Sequence, residues 1–540
     1  PFAERVIPFT FRPSTATVHA FAVAERPRPT QSGSPNARQR SDRVTDRPNI
    51  LLIEADQMAA FPLDFCNPDG QARTPNLGAL ARDGVVFDNA YCNSPLCGPS
   101  RASKFTGRLP TSHQVWGNGA ELPSETPTMM HFLRSAGYRT VCSGKCHFVG
   151  ADQLHGFDRR LTTDMYPSNF DWSIDWEPSV DHRPGTSVQK LTVSGPCRTN
   201  NQILYDSEVQ FRAIEFLRYE ALERPPQPFF LHVSFTQPHD SYQSVPKYLD
   251  RYKDVDIAMP RLSTEPVPNP VTDWLAVHHG IDQFPPTEER IRASREAYYA
   301  MISHLDDFIG EIVAELKLLG LYDDTLIVFT SDHGDMMGER NMWFKRTFWE
   351  HSVKVPLVFH QPSRFAPRRV RQAVTLADLC PTLSEIGGAE EFCARWGSRD
   401  SASFSALLDE EDVDWRGAAV MQYFGPGVEA PWFAIRRGDF KYVFIHGWGG
   451  ILINLSDDPH ETSDLADDPD HAELVANLHG ALVGQLDLDA LSALVKENKK
   501  QRCYLHQSQK GSPGYVWDHQ PVVDASKQYV RGGVNKPVTC

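Results

Sequence analysis

The sequence predicts an α/β chain: a doubly wound, mostly parallel sheet flanked by helices, followed by a smaller C-terminal α+β subdomain. Three observations predict it. Short apolar runs that end in charged or polar residues occur four times, helical patterns lie between them, and from about Val374 the pattern changes to closely spaced short strands. Alternating strands and helices argue for helices packed on both faces of a sheet. Such a sheet binds its ligands at the carboxyl ends of the strands.

The folded part opens at "RPNILLIEADQ", where Asn49 to Ile53 form a continuous apolar run and Glu54, Asp56 and Gln57 follow. A run of that kind suits a strand buried on both faces. "GYRTVCSGKCHF" is a short strand leading to Lys145 and His147, and "QPFFLHVSFTQPHD" runs to Phe235 and then to His239 and Asp240. "DDTLIVFTSDHGD" ends at Thr330 and is followed by Asp332, His333 and Asp335. One polar residue after a strand is ordinary loop composition; four charged clusters leaving one sheet edge are a stronger signal. "ERIRASREAYYAMISHLDDFIGEIVAELKLLG" has apolar residues at helical spacing and Gly320 as its stop. "VTLADLCPTLSEIGG" reads as the closing helix of the main domain. Beyond a polar linker come "AAVMQYF", "WFAIRRGDFKYVFIHG" and "ILINLSDDP", the middle one a hairpin turning at Arg437-Gly438-Asp439. The expected organisation is a disordered extension over residues 1–46, an α/β catalytic domain over 47–390, the α+β subdomain over 391–500, and a tail over 501–540 placed to contact a neighbouring subunit.

At 540 residues the chain exceeds what one core usually supports. A net charge of −15 disfavours nucleic acid and anionic membrane as partners, so an anionic substrate needs a locally basic pocket. No apolar run has the length of a bilayer span. Ten cysteines in so long a chain make neither a disulfide framework nor a zinc knuckle, which points to a reducing, cytoplasmic home. The first 46 residues lack Met, are rich in Arg, Pro, Ser and Thr, and show no charged-then-apolar signal pattern. They read as a disordered extension, with a transit peptide as the second option.

The segment "LCGPSRASKFTGR" concentrates the chemistry. Pro99 suits the first position of a helix and Gly107 the residue just past its end. Cys97 then precedes a helix N-terminus, in the positive end of its dipole, with Arg101 one turn in. The residues alone allow a buried structural cysteine or a dipole-activated thiolate. The second needs a base and an orienting partner, whereas the neighbours are mainly cations.

Cys97-x-Pro99-x-Arg101 followed by Thr106-Gly107-Arg108, between an "ADQ" strand end and an "SGK-x-H" segment, resembles the signature of formylglycine-dependent sulfatases. The stretches "SGKCHFVGADQLHGFDRRLTTDMYPSNFDW", "SFTQPHDSYQ", "SDHGDMMGERNMWFKRTFWEHSVKVPL" and "YVWDHQPVVDASKQYVR" resemble the choline-sulfatase branch. That branch is related to phosphonate monoester hydrolases and shares the alkaline-phosphatase-like fold. The resemblance runs from about Pro48 to about Arg531.

What the resemblance implies is specific. A maturation enzyme reads C-x-P-x-R and converts Cys97 to formylglycine. The hydrated aldehyde offers two hydroxyls on one carbon: one attacks the sulfur of a sulfate ester, and the other lets the site expel sulfate and recover the aldehyde. Asp56, Gln57, Asp332 and His333 hold one divalent cation together with residue 97. Calcium is the first choice, although one imidazole and one carboxamide in the set also suit magnesium or manganese. Arg101, Lys145 and Lys345 bind sulfate oxygens, His147 is the base for aldehyde recovery, and His239, with Lys345 or replaced by Lys345 alone, protonates the leaving alcohol. Asn118 contacts substrate, and Trp172 gives an aromatic wall to a quaternary ammonium. The implied substrate is a small sulfate ester, choline-O-sulfate first, and the implied assembly a homo-oligomer, dimer or tetramer. Two departures bear on the ammonium pocket. Gln189 stands where the branch has a histidine, with Asp181 and His182 nearby as substitutes, and no acid follows Asp524 in the tail. An aryl sulfate or a phosphate or phosphonate monoester is the alternative substrate. A non-catalytic anion-binding relative is a third reading.

Overall fold

The computed structural model describes residues 47–173, 186–222, 227–261, 267–410 and 413–509. The expected N-terminal extension, Asp181 and His182, and the tail beyond residue 509 lie outside the described residues.

Eight strands form the main sheet: β1 (Asn49–Ala55), β2 (Val85–Phe87), β3 (Arg139–Gly144), β4 (Arg159–Arg160), β5 (Phe229–Ser234), β6 (Thr325–Ser331), β7 (Leu357–His360) and β8 (Arg368–Val370). Their order is β8-β2-β7-β6-β1-β5-β3-β4. All neighbours are parallel except β7, which runs against both β6 and β2. The four strands expected to carry the chemistry, β3, β5, β1 and β6, are contiguous. Their register sets Ala55 opposite Ser331, and sets Glu54 and Gly144 both opposite Ser234. The four polar clusters therefore leave one sheet edge within a few residues of each other. At Gly144, φ is +112°, and a Cβ there would meet Ser234 O at 1.9 Å, so only glycine lets β3 turn toward the site.

Successive strand residues feed opposite layers, as the two-residue strand period requires. Ile50, Leu52, Phe230, Leu326 and Val328 enter one apolar cluster, while Leu51, Ile53, Leu231, Val233, Ile327 and Phe329 enter the other. The long helix Glu288–Leu318 covers the second layer. Thr287 caps it by accepting from Arg290 N, Glu288 and Glu289 sit in its first turn, and Gly320 follows its end at φ +68°. Its buried face includes Tyr298, Ile302, Leu305, Ile309, Ile312 and Leu316.

The C-terminal strands β9 (Ala418–Tyr423), β10 (Trp432–Arg437), β11 (Phe440–Ile445) and β12 (Gly449–Asn454) form an antiparallel sheet in sequence order. The β10–β11 hairpin turns through Gly438 at φ +57°. Trp432, Ile435 and Leu452 belong to the same apolar cluster as Ile50 and Leu326, so this sheet shares its core with the main domain.

One local expectation needs correction. The helix at the motif is Cys97–Thr106, not a helix that opens at Pro99; Leu96, extended at φ −156°, precedes it, and Gly107 at φ +68° ends it. Ser100 N donates to Leu96 O at 2.9 Å, which closes the first turn around Pro99. None of the first residues of a helix has an intrahelical acceptor for its N–H, so proline fits the third position as well as the first.

Candidate active site

Cys97, as the first residue of its helix, meets the ends of β1 and β6. Its sulfur lies 3.3 Å from His333 Nε2, 3.6 Å from Asp56 Oδ1 and 3.3 Å from Lys345 Nζ. His333 Nε2 is in turn 3.5 Å from Asp332 Oδ1 and 4.0 Å from Asp56 Oδ1. The donor atoms of Asp56, Cys97, Asp332 and His333 all lie within 4.8 Å of one another, and all four side chains are buried. Lys145 Nζ pairs with Asp56, and Lys345 Nζ is 2.9 Å from His239 Nε2. The two other histidines also face the sulfur: His147 and His239 both interact with the Cys97 side chain.

Two buried carboxylates side by side are costly without a counter-charge. Burial pushes the Asp56 carboxyl up, and Asp332 and Cys97 beside it push further. Two carboxylates, an imidazole and the residue-97 side chain are a donor set that a divalent cation fits, because it would relieve that repulsion. Burial opposes ionisation of Cys97, but Lys145, Lys345 and His333 outweigh it and hold the thiol well below its usual range. Residue 97 thus sits where negative charge is stabilised.

Gln57 stands beside this cluster. Its Oε1 accepts from Lys345 Nζ at 2.6 Å, and its Nε2 donates to Asp335 Oδ2 at 2.5 Å. Its backbone N–H donates to Asp332 Oδ1 at 3.0 Å. Arg101 is likewise heavily engaged: Nε binds Asp332 Oδ2 at 2.9 Å, while Nη1 reaches Glu54, Lys145 O and Ser234 Oγ at 2.7–2.9 Å. Only Nη2 of that guanidinium lacks a partner. The arginine of the motif therefore fixes Asp332 before it can hold anything else. Asn118 Oδ1 accepts from Gly98 N at 2.9 Å, and its carbonyl lies 3.2 Å from His147 Nε2. His147 has φ +60°, its N–H donates to Asp164 Oδ2 at 2.8 Å, and its ring stacks on Tyr166 at 5.1 Å.

Lys104, Asp206 and Gln202 escaped the sequence reading, and Asp335 was read only as part of a strand-end cluster. Lys104, three residues after Arg101 on the same helix face, joins it on Glu54. Asp335 accepts from Tyr242 OH, Met337 N and Phe344 N as well as from Gln57, so it holds the loop that carries Lys345. Asp206 and Gln202, one turn apart on the helix Asn201–Leu222, hold the His239 loop. Asp206 accepts from Thr236 N and Oγ1 and from Gln237 N at 2.8–2.9 Å, and Gln202 Nε2 donates to His239 O at 2.9 Å. Burial pushes the Asp206 carboxyl up to about 7 despite those donors. Asp206→Asn turns an NH2 toward one of them; leaving a buried donor unpaired costs about 1–3 kcal/mol. The expected result is a lower midpoint in urea and a reduced kcat with KM little changed, because His239 is displaced while the pocket is intact. Unchanged kcat in a folded variant would remove Asp206 from the positioning of His239.

Over these groups opens a cavity of about 490 Å³ whose lining includes Asn118, Tyr166, Trp172, His239, Lys345 and Arg502. Trp172, 37% exposed, presents its ring to this space with Tyr166 edge-on at 4.9 Å. Gln189 does not line it; the neighbouring Lys190 does, and binds Asp240 Oδ2 at 2.8 Å.

The sheet order, the motif helix and the four strand-end clusters can now be set beside known proteins. A sulfatase family model matches residues 48–389. The chain belongs to the sulfatase family. A second model, the C-terminal region of N-sulphoglucosamine sulphohydrolase, matches residues 338–487 of this sulfatase. It is similar to the choline-sulfatase of Rhizobium meliloti (strain 1021), 38% identical over 91% of this chain and 97% of the relative. It is also similar to an arylsulfatase of Clostridium perfringens (strain 13 / Type A), 27% identical over 82% of this chain and 95% of that one. Among solved structures it matches the phosphonate monoester hydrolase of Agrobacterium radiobacter with a TM-score of 0.61 at 26% identity, over 84% of this chain and 96% of the other. The alkaline-phosphatase-like fold and the activity class, sulfuric ester hydrolysis, follow for this sulfatase.

Proposed function

We propose that this sulfatase hydrolyses choline-O-sulfate to choline and sulfate, using a formylglycine made from Cys97 and one divalent cation, calcium first. The observation that carries the reading is the 38% identity to a choline-sulfatase over nearly the full length of both chains. The site supports it. Asp56, Asp332 and His333, with residue 97, would hold the cation, and Gln57, whose carboxamide oxygen accepts from Lys345 Nζ, would complete the set from beside them. The bound ion supplies charge stabilisation to the attacking group and to a sulfate oxygen. Lys145 and Lys345 face residue 97 from two sides and offset sulfate charge. His239, which is 2.9 Å from Lys345 Nζ, donates the proton to the leaving alcohol. Burial and Lys345 oppose its protonation, yet Asp240 and Asp56 outweigh them and raise its pKa, the direction a proton donor needs. His147, propped by Asp164 and Tyr166, is the base for recovery of the aldehyde. The reading includes a maturation enzyme as partner, a homo-oligomer and a cytoplasmic location. The free thiols of the nine described cysteines fit a reducing compartment. No helix among the described residues is long and apolar enough to cross a membrane.

A substrate panel tests the choice of ester. Purified protein, made with the maturation enzyme and supplied with metal, should cleave choline-O-sulfate faster than aryl sulfates or phosphonate monoesters; intact choline-O-sulfate beside cleaved aryl sulfate would overturn the reading. Trp172→Ala narrows it further. It should cost choline-O-sulfate about 1–2 kcal/mol in kcat/KM, the worth of a partly desolvated cation–π contact, and an aryl sulfate much less. Equal losses would take Trp172 out of ammonium recognition. One observation favours an uncharged or anionic leaving group instead: Lys499 and Arg502 line the same cavity, and the Arg502 guanidinium has no carboxylate partner among the described residues. Burial lowers its pKa to about 10, still charged at neutral pH. A preference for esters of neutral or acidic alcohols in the panel would select that reading.

A further inference from the structure

A second cluster of metal-binding side chains lies on the other side of Glu54 from Cys97. Cys142 on β3, Cys146 just beyond it and His232 on β5 place one donor atom each within 4.8 Å of one another. Cys142 Sγ is 3.1 Å from Cys146 Sγ and 3.7 Å from His232 Nδ1, and Cys146 also interacts with the imidazole. The imidazole is oriented from its far side. His232 Nε2 lies 3.0 Å from Glu54 Oε2 and 3.4 Å from Lys104 Nζ. Lys104 can only donate, and the carboxylate is the nearer of the two, so Nε2 carries the proton toward Glu54. Nδ1 then faces the sulfurs unprotonated. A carboxylate that fixes the tautomer of a histidine in this way is the usual support behind a metal-bound imidazole.

We propose that Cys142, Cys146 and His232 form a second, buried metal site for one thiophilic cation, with monovalent copper the best match. Two thiolates and an imidazole select soft or borderline ions over calcium or magnesium. All three side chains are at most 1% exposed, in an apolar surround that includes Phe105, Phe157 and Phe230, so the protein supplies every ligand and leaves no place for the water that a three-ligand zinc site keeps. Binding releases both thiol protons to solvent. The monocation then leaves one net negative charge, which faces the buried guanidinium of Arg160. The sulfurs, 3.1 Å apart, must part by about 0.9 Å to hold the ion with metal–sulfur bonds of about 2.3 Å in a trigonal site. Cys380 and Cys393 form another thiol pair, without an imidazole, and serve as the comparison.

The test uses the full chain carrying Cys97→Ser, so that residue 97 offers no thiol, reduced and loaded with Cu⁺ against a competing copper chelator. One copper per chain should be retained. Adding Cys142→Ala or Cys146→Ala should weaken retention by roughly 100-fold or more, whereas Cys380→Ala should leave it unchanged. X-ray absorption of the loaded Cys97→Ser chain should show sulfur and nitrogen scatterers in a two-to-one ratio, a readout that needs no folded double variant. No retained copper, retention indifferent to Cys142 and Cys146, or a Cys142–Cys146 disulfide in place of the ion would each overturn the assignment.

Discussion

Cys97→Ser should leave a folded protein whose turnover is lower by roughly 10⁵–10⁶-fold, the scale seen when a catalytic nucleophile is removed. The structure separates the two halves of that result. The Cys97 sulfur has polar partners, among them Asp56, His333 and Lys345, and a serine hydroxyl can satisfy the same groups. Stability should therefore change by no more than about 1 kcal/mol. Catalysis fails for a chemical reason: serine has one oxygen on its β-carbon, so sulfate transferred to it has no neighbouring hydroxyl to expel it. The check pairs a turnover assay with the mass of the tryptic peptide ending at Arg101. In active wild-type protein that peptide should carry an aldehyde or its hydrate. An unmodified thiol in fully active protein would end the formylglycine account, and substantial turnover by Cys97→Ser would do the same.

The strand-end clusters were legible because a parallel sheet turns separate sequence positions into neighbours. Four apolar runs, each ending in titratable residues, need only be parallel and adjacent to converge, and β3, β5, β1 and β6 are both. The β10–β11 hairpin was legible from its Arg-Gly-Asp turn. The start of the motif helix was less so, since proline is tolerated throughout the first turn and marks it only to within two residues. Arg101 was legible as a site residue, but its engagement with Glu54 was not. Glu54 occupies the last turn of an apolar run, and nothing local says that it gathers three cationic or basic side chains from two other elements. The spacing of Lys104 after Arg101 was a usable hint, because residues three apart share a helix face. Asp206 sits inside an ordinary helical pattern, and Arg502 lies far along the chain from Asn118, Trp172, His239 and Lys345, with which it lines the cavity. Only tertiary structure brings either to the site.

Glu54→Gln should be among the most destabilising single substitutions in the protein. Glu54 is fully buried and accepts from Arg101 at 2.8 Å, Lys104 at 2.5 Å and His232 at 3.0 Å. Burial alone would raise its pKa, but Arg101 and Lys104 outweigh that and hold the carboxyl well below the usual glutamate range. Breaking a buried ionic cluster by removing one partner costs about 3–5 kcal/mol, because the charges left behind stay desolvated. The sign with pH follows from the depressed pKa. An unfolded glutamate titrates near about 4.3; the folded one stays ionised below that, so its contribution is complete above that pH and is lost as pH falls through the folded value. The stability gap between wild type and Glu54→Gln should thus be constant from about pH 5 to 8 and shrink only in stronger acid. Urea unfolding across that range measures it. The same substitution frees the Arg101 guanidinium, which fixes Asp332 at 2.9 Å, so affinity for the divalent cation should fall even under conditions where the variant is fully folded. A gap that widens toward acid, or a folded variant that binds the cation as tightly as wild type, would show that Glu54 neither anchors this cluster nor holds the metal-facing carboxylate through Arg101.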